Sequence, residues 1–273
     1  MQVMQHYDMF RDYLKESCGI VLGDSKQYLV TSRISRIMQD NQIGDLQQLV
    51  NNLRRNIRSP LKEQIIDAMT TNETSWMRDI HPYEILRKRV LPELMDNSFG
   101  QARIWCAACS SGQEPFSISM VIEEFKQANM GALKRPIEIL GTDLSKTMLN
   151  LCEKAEYDSL AIVRGLSEER KNKFFSHNGN GVWKIKNEVK SRVRFKHFNL
   201  LDNFALLGKF DLVFCRNVLI YFSSEQKSDI LRRIHASLKP GGYLFLGASE
   251  SLNDTQHLFE MVHCSPGIIY RAK

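Results

Sequence analysis

From Ala102 onward, short apolar runs alternate with amphipathic stretches, and this alternation leaves the chain few architectures. The runs are "ARIWCAA", "IEILGTD", "VRFKHFNLL", "FDLVFCRNVLIYF" and "GYLFLGASE". Between them lie "EPFSISMVIEEFKQANMG", "SKTMLNLCEKAEY" and "SSEQKSDILRRIHASLKPGG", which have helical periodicity. Strands alternating with helices predict an α/β fold, a parallel sheet with helices on both faces. In the last stretch Ser223 and Gln226 have capping-box spacing, and Lys239-Pro-Gly-Gly242 is a stop signal.

The first 70 or so residues contain no convincing strand. Val30, Ile34, Ile37 and Met38 recur at helical spacing, as do Leu49, Leu53 and Ile57, so a small helical bundle is expected. The opening "MQVMQHYDMFRDYLKESCG" reads as an amphipathic helix stopped by Gly19, with no secretory-signal pattern. The segment Met69 to Pro92, with Thr70 to Thr74 as helix-start residues, links the two parts. Asn178-Gly-Asn-Gly181 is a turn signal, and the alternation after Val182 predicts an exposed strand in a small antiparallel insertion. "LFEMVHCSPGIIYRAK" predicts a terminal hairpin turning at Ser265-Pro-Gly267. The expected organisation is a helical domain over 1–70, a linker over 71–93, and an α/β domain over 94–273 with the insertion at 175–193.

At 43% hydrophobic and 25% charged, the chain can bury a core without disulfides or metals. Its cysteines are scattered, as in a chain kept reduced in the cytoplasm. No run of about 18 apolar residues predicts a membrane span. The net charge of +6 points weakly to an acidic partner. Nucleic acid is not expected, because Lys/Arg stripes interleaved with aromatics are missing.

The chemistry concentrates in "WCAACSSGQEPFSISM". A strand ends near Cys106, a helix starts near Pro115, and Ala107, Ala108, Ser110, Ser111 and Gly112 join them. Small residues at such a turn let the backbone approach a ligand closely. Cys106 and Cys109 have redox spacing, but Cys106 lies in the strand, away from the helix N-terminus that would lower its thiol pKa. A zinc site would need a second ligand pair, which is absent. Asp143, ending the next strand, either accepts hydrogen bonds from a ribose diol or caps the helix starting at Ser145. Glu114 either sits in a first helical turn for its dipole or meets a ligand's ammonium.

Taken in order, "TTNETSWMRD", "AACSSGQEPFSISM", "LGTDLS", "FDLVFCRNVLIYF" and "LKPGGYLFLGASESL" resemble the chemotaxis receptor methyltransferases, the CheR family, over nearly the whole chain. The resemblance implies a Rossmann-like sheet binding S-adenosylmethionine, with S-adenosylhomocysteine as product and no metal. It implies methyl transfer to glutamates on the cytoplasmic methylation helices of chemoreceptors. Carried over by motif, Asn72, Thr74 and Arg78 form an entry segment over the cofactor, with Arg78 nearest the reacting methyl. Ala107 belongs to the cofactor loop, Glu114 meets the methionine part, and Asp143 the ribose. Asn199 and Leu200 flank the adenine, while Arg216, Asn217 and Tyr221 close the site, Arg78 and Tyr221 being the catalytic candidates. The family has paired aromatics before the Arg where this chain has Trp76-Met77, a change that adaptable Met tolerates.

Arg33 and Arg36, three apart on a predicted helix, share a side, and the resemblance suggests that this helix docks on the receptor. "HNGNG" is shorter than the loop of members that tether to a receptor's C-terminal pentapeptide, so independence of that tether is expected, as is a monomer without membrane insertion. A glutamate carboxylate, with a reference pKa of about 4.3, is already the nucleophile at neutral pH, so no general base is required. A methyltransferase for another protein or a small molecule, and a non-catalytic ligand-sensing adaptor, remain as rival readings. "CRNVLIYF" lacks the Asn/Asp-Pro-Pro-aromatic run that stacks a flipped base, and the missing glycines disfavour a dinucleotide oxidoreductase.

Overall fold

A computed structural model describes residues 6–56, 59–96, 100–177 and 179–273. The helical part comprises α1 (Tyr7–Cys18), α2 (Gln27–Asp40), α3 (Leu46–Arg55) and α4 (Pro60–Met69). Gly19 ends α1 in the left-handed region at φ 78°, its N–H donating to Lys15 O. Asp45 and Ser59 cap α3 and α4 by accepting from Gln48 N and Lys62 N. Phe10, Leu14, Val30, Ile34, Leu49, Leu53 and Ile65 meet in the bundle core, with Ile37 at its margin. Ile57 and Asn178 lie outside the described residues.

Thr70–Thr74 does not start a helix. The chain runs without helix from Thr70, and helix resumes at His81, continuing through a π turn to Asp96. Met77, Asp79 and Ile80 take φ of 47°, 67° and 55°, conformations that cannot continue a right-handed helix. The polar groups of the segment are used in tertiary bonds instead. Asn72 O accepts from Ser110 Oγ, and Trp76 N donates to Arg164 O.

Ten strands follow among the described residues: β1 (Ala102–Ala107), β2 (Ile137–Asp143), β3 (Glu156–Asp158), β4 (Phe175–His177), β5 (Val182–Ile185), β6 (Val193–His197), β7 (Phe210–Cys215), β8 (Leu238–Leu246), β9 (Phe259–Cys264) and β10 (Gly267–Ala272). Seven form one sheet in the order β6-β2-β1-β7-β8-β10-β9. Its first five strands are parallel, and the β9–β10 hairpin closes the sheet antiparallel. Strand order reverses between β1 and β7, which puts a crevice at their carboxyl ends.

Period-two alternation distributes β1 between two cores. Ile104 and Cys106 join Phe116, Ile118, Val121 and Ile122 of the helix Gln113–Ala128 on one face. Trp105 and Ala107 face Ile230, Leu231 and Ile234 of the helix Ser224–Ser237 on the other. Trp105 stacks on Phe210 at 5.5 Å between ring centroids and donates to Thr142 Oγ1.

The antiparallel insertion is a three-stranded sheet, β3-β5-β4, and one of its two outer strands, β3, comes from upstream of 175–193. The stretch read as helix through Tyr157 stops at Lys154. Ala155, at φ 54°, turns the chain, and Glu156–Asp158 pairs with β5. "FDLVFCRNVLIYF" likewise stops being strand at Cys215, and a 3-10 turn forms over Leu219–Tyr221. Among the described residues no helix is long and apolar enough to cross a membrane.

The bundle packs on the carboxyl edge of the sheet. Val21 N donates to Tyr221 O, Asn199 Nδ2 donates to Ser17 O, and Gly19 abuts Phe222 so closely that a Cβ there would lie 2.1 Å from the ring.

Candidate active site

A cavity of about 340 Å³ opens at the carboxyl ends of β1, β2 and β7, and α2 with the α1–α2 loop closes it from above. The loop after β1 winds tightly around it. Ala108, Ser110 and Gly112 have φ of 64°, 50° and 92°, and Cys109 N donates to Thr142 O. This winding aims Ser110 N at Asp143 Oδ2 (2.7 Å), while Ser145 N donates to Oδ1 (2.9 Å). Ser145 itself caps the next helix by accepting from Met148 N, so Asp143 is left free of that task. Burial pushes the Asp143 carboxyl above its ordinary range, against the pull of N–H groups from Ser145, Ser110 and Leu144.

Glu114, in the first turn of the helix Gln113–Ala128, is opposed by Arg216 at the end of β7. Arg216 Nη1 donates to Glu114 Oε2 at 2.9 Å, and Nη2 donates to Asp79 Oδ2 at 2.7 Å and to Arg78 O at 3.0 Å. The Arg216 side chain is 1% exposed and that of Glu114 13%. Burial raises the Glu114 pKa and the Arg216 guanidinium holds it back, with Glu250 raising it further and Arg78 lowering it. Arg216 thus ties the sheet edge, the helix start and the entry segment together, which the sequence gives no sign of.

The other predicted residues are distributed unevenly. Asn72, Thr74, Arg78, Asn199, Leu200, Asn217 and Tyr221 all line the cavity. The half-buried Arg78 donates to Glu73 O at 3.3 Å. Asn199 is also a joint to the bundle through Ser17 O. Ala107 is not part of the lining. It is fully buried as the last residue of β1, facing the Trp105 core, and Ala108, turned by its left-handed φ, takes the place at the cavity.

Arg33 and Arg36 sit in different surroundings. Arg33 Nη1 donates to Met69 O and Thr70 O, satisfying carbonyls at the end of α4, and it borders the cavity. The Arg36 side chain is 92% exposed, 3.9 Å from Asp40. Cys106 lies inside β1, and burial pushes its thiol well above the ordinary value, which removes the redox reading of the CxxC spacing.

These fixtures fit an S-adenosyl ligand. A carboxylate has about four acceptor sites, and close hydrogen bonds from Ser110 N and Ser145 N take one on each oxygen of Asp143, with Leu144 N–H also directed at the group, so acceptor capacity remains for a diol hydroxyl. Glu114, 13% exposed at the cavity, offers an acid of the sign an ammonium needs, and Leu144, Phe198 and Leu200 give an apolar wall.

A small-residue turn after β1, an acid ending β2 and a cavity at the point of strand reversal define a Rossmann-like nucleoside-binding fold of the methyltransferase class. The SAM-binding domain model of CheR methyltransferase matches residues 72–268, and the CheR all-alpha domain model matches residues 5–70. The chain is 57% identical over 268 residues to chemotaxis protein methyltransferase Cher2 of Pseudomonas putida, covering 98% of each. It is 56% identical over 268 residues to chemotaxis protein methyltransferase 1 of Pseudomonas aeruginosa, covering 98% of this chain and 97% of that one. A chemotaxis protein methyltransferase of Vibrio parahaemolyticus is 49% identical over 269 residues, with coverage of 98% and 97%. The chain belongs to the CheR methyltransferase family, and it is an S-adenosylmethionine-dependent methyltransferase of chemotaxis.

Proposed function

We propose that the protein transfers the methyl group of S-adenosylmethionine to glutamate side chains of chemoreceptors, forming methyl esters. The observation that carries this reading is Arg78, a half-buried cation on the cavity wall whose guanidinium donates to the backbone carbonyl of Glu73 and bears on Glu114. Bound S-adenosylmethionine supplies an activated methyl on a positively charged sulfur. Asp143 holds the ribose, Glu114 the ammonium, and the wall at Leu200 the adenine. Arg78 orients the incoming carboxylate, which at neutral pH is already ionised and needs no base. The covered cavity strips water from it and sets the line of attack.

The test uses labelled methyl donor and receptor-containing membranes, followed by alkaline treatment of the product. Release of labelled methanol is the expected result. Label that survives alkali, or appears only on other acceptors, sinks the glutamate assignment, and no transfer at all favours a ligand-sensing adaptor. Arg78→Ala is expected to lower turnover more than about tenfold, on the order of 1.4 kcal/mol in the barrier. Unchanged single-turnover kinetics would remove Arg78 from the mechanism.

Receptor docking is assigned to the exposed flank of α2 at Arg36, facing receptor segments rich in glutamate. Arg36→Glu should raise the apparent KM for receptor several-fold and leave cofactor affinity unchanged, and an unaltered KM counts against that flank. Arg33→Glu is expected to damage the cavity itself. The insertion does not serve as a tether. Calorimetry with a receptor C-terminal pentapeptide should show no binding tighter than about 1 mM, and micromolar binding overturns the statement.

A further inference from the structure

The loop leaving β7 carries Arg216, Asn217 and Tyr221 into the cavity, yet it has no regular structure until Leu219. Its shape is held from outside the cavity. Glu250, in the turn after β8, accepts four backbone N–H groups. Oε2 takes Asn217 N at 2.8 Å and Gly247 N at 2.7 Å, and Oε1 takes Val218 N at 2.9 Å and Leu219 N at 2.7 Å. Asn217 at φ 57° turns three successive N–H groups into a concavity of the kind that binds anions. Here a carboxylate of the same chain fills it. With its roughly four acceptor sites occupied, Glu250 has no capacity left for a ligand, and it does not line the cavity. Gly247 makes room for the arrangement, since a Cβ there would lie 2.7 Å from Glu250 Oε2.

We infer that Glu250 is a positioning residue of the methyltransferase: by clamping the N–H groups of Asn217, Val218 and Leu219 it sets Asn217 and Tyr221 against the bound cofactor. The inference rests on the reading of the cavity as the S-adenosylmethionine site. Glu250→Gln keeps the size of the side chain. Whichever way its amide turns, one pair of N–H groups faces an NH₂ in place of an acceptor. Gly247→Ala keeps the charge and wedges a methyl between the carboxylate and the loop it clamps, since the Cβ would lie 2.7 Å from Glu250 Oε2 and 2.9 Å from Asn217 N.

The full-length variants are to be compared with the natural protein at 20 °C for thermal unfolding, calorimetric S-adenosylhomocysteine binding, and methyl transfer to receptor membranes. Both should be folded, bind S-adenosylhomocysteine about tenfold more weakly and turn over about tenfold more slowly, with receptor KM within twofold. Variants that only lower Tm while keeping Kd and kcat, or that both unfold, make Glu250 a residue of the fold and overturn the assignment. A natural protein that does not bind S-adenosylhomocysteine fails the cofactor reading itself, a different outcome from equal binding by all three proteins.

Discussion

Asp143→Ala is expected to weaken S-adenosylhomocysteine binding by at least about 100-fold, on the order of 2.7 kcal/mol. Two effects act together. The ribose diol loses a charge-assisted acceptor in a dry site, where such bonds are strongest. Ser110 N and Ser145 N also lose their partner, and an orphaned buried N–H costs about 1–3 kcal/mol. The second effect acts on the free protein as well, so it lowers Tm and loosens the turn after β1. Asp143→Asn separates the two. Its amide keeps the shape and one acceptor, so Tm should recover more fully than Kd. Calorimetry and thermal unfolding on the three proteins decide the matter. Kd within twofold for the Ala variant would place the ligand elsewhere.

The sheet was legible because short continuous apolar runs differ from the helical periodicity between them, and β1, β2 and β7 are buried on both faces as such runs require. Ile118, Val121, Ile122 and Phe125 are buried as their spacing requires, and Ser117, Ser119, Met120 and Glu123 on the other sides of the same helix are buried with them. The terminal hairpin was legible from its proline–glycine turn. Failures came where one residue type serves two structures. A Thr/Asn run suits a helix start and equally an extended linker, and only the tertiary bonds of Asn72 and Trp76 decide between them. β3, three residues long, leaves no period to read. Spacing put Arg33 and Arg36 on one side of α2, but whether a side chain reaches water or the end of another helix depends on packing. Ala107 and Ala108 were indistinguishable until the left-handed turn at 108 decided which faces the cavity. Glu250 stood in a quoted motif without a role, because the N–H groups it gathers from the β7 loop lie 31 to 33 residues upstream.

Arg216→Met should cost about 3–5 kcal/mol of stability, the usual effect of breaking a buried pair, and weaken cofactor binding about 100-fold at neutral pH. Arg216 is nearly fully buried, so solvent does little to screen its bond to Glu114. The bond to Asp79, which is 34% exposed, contributes less. Without the guanidinium, burial drives Glu114 further toward its neutral form, and a neutral acid no longer attracts an ammonium. The same balance predicts a pH dependence in the natural protein. The Glu114 pKa is raised in the fold, so its contribution to stability is fully present below its unfolded pKa and is lost as pH rises through the raised value. Cofactor binding runs the other way, strengthening across that window as the carboxylate ionises. Measured against Glu114→Gln, which does not titrate, the ligand-free natural protein should lose Tm as pH rises above the ordinary carboxylate range, and S-adenosylhomocysteine should restore it. A Tm difference independent of pH, or one that grows with pH in the ligand-free protein, would falsify the role of Glu114 as a buried charge held for the ligand.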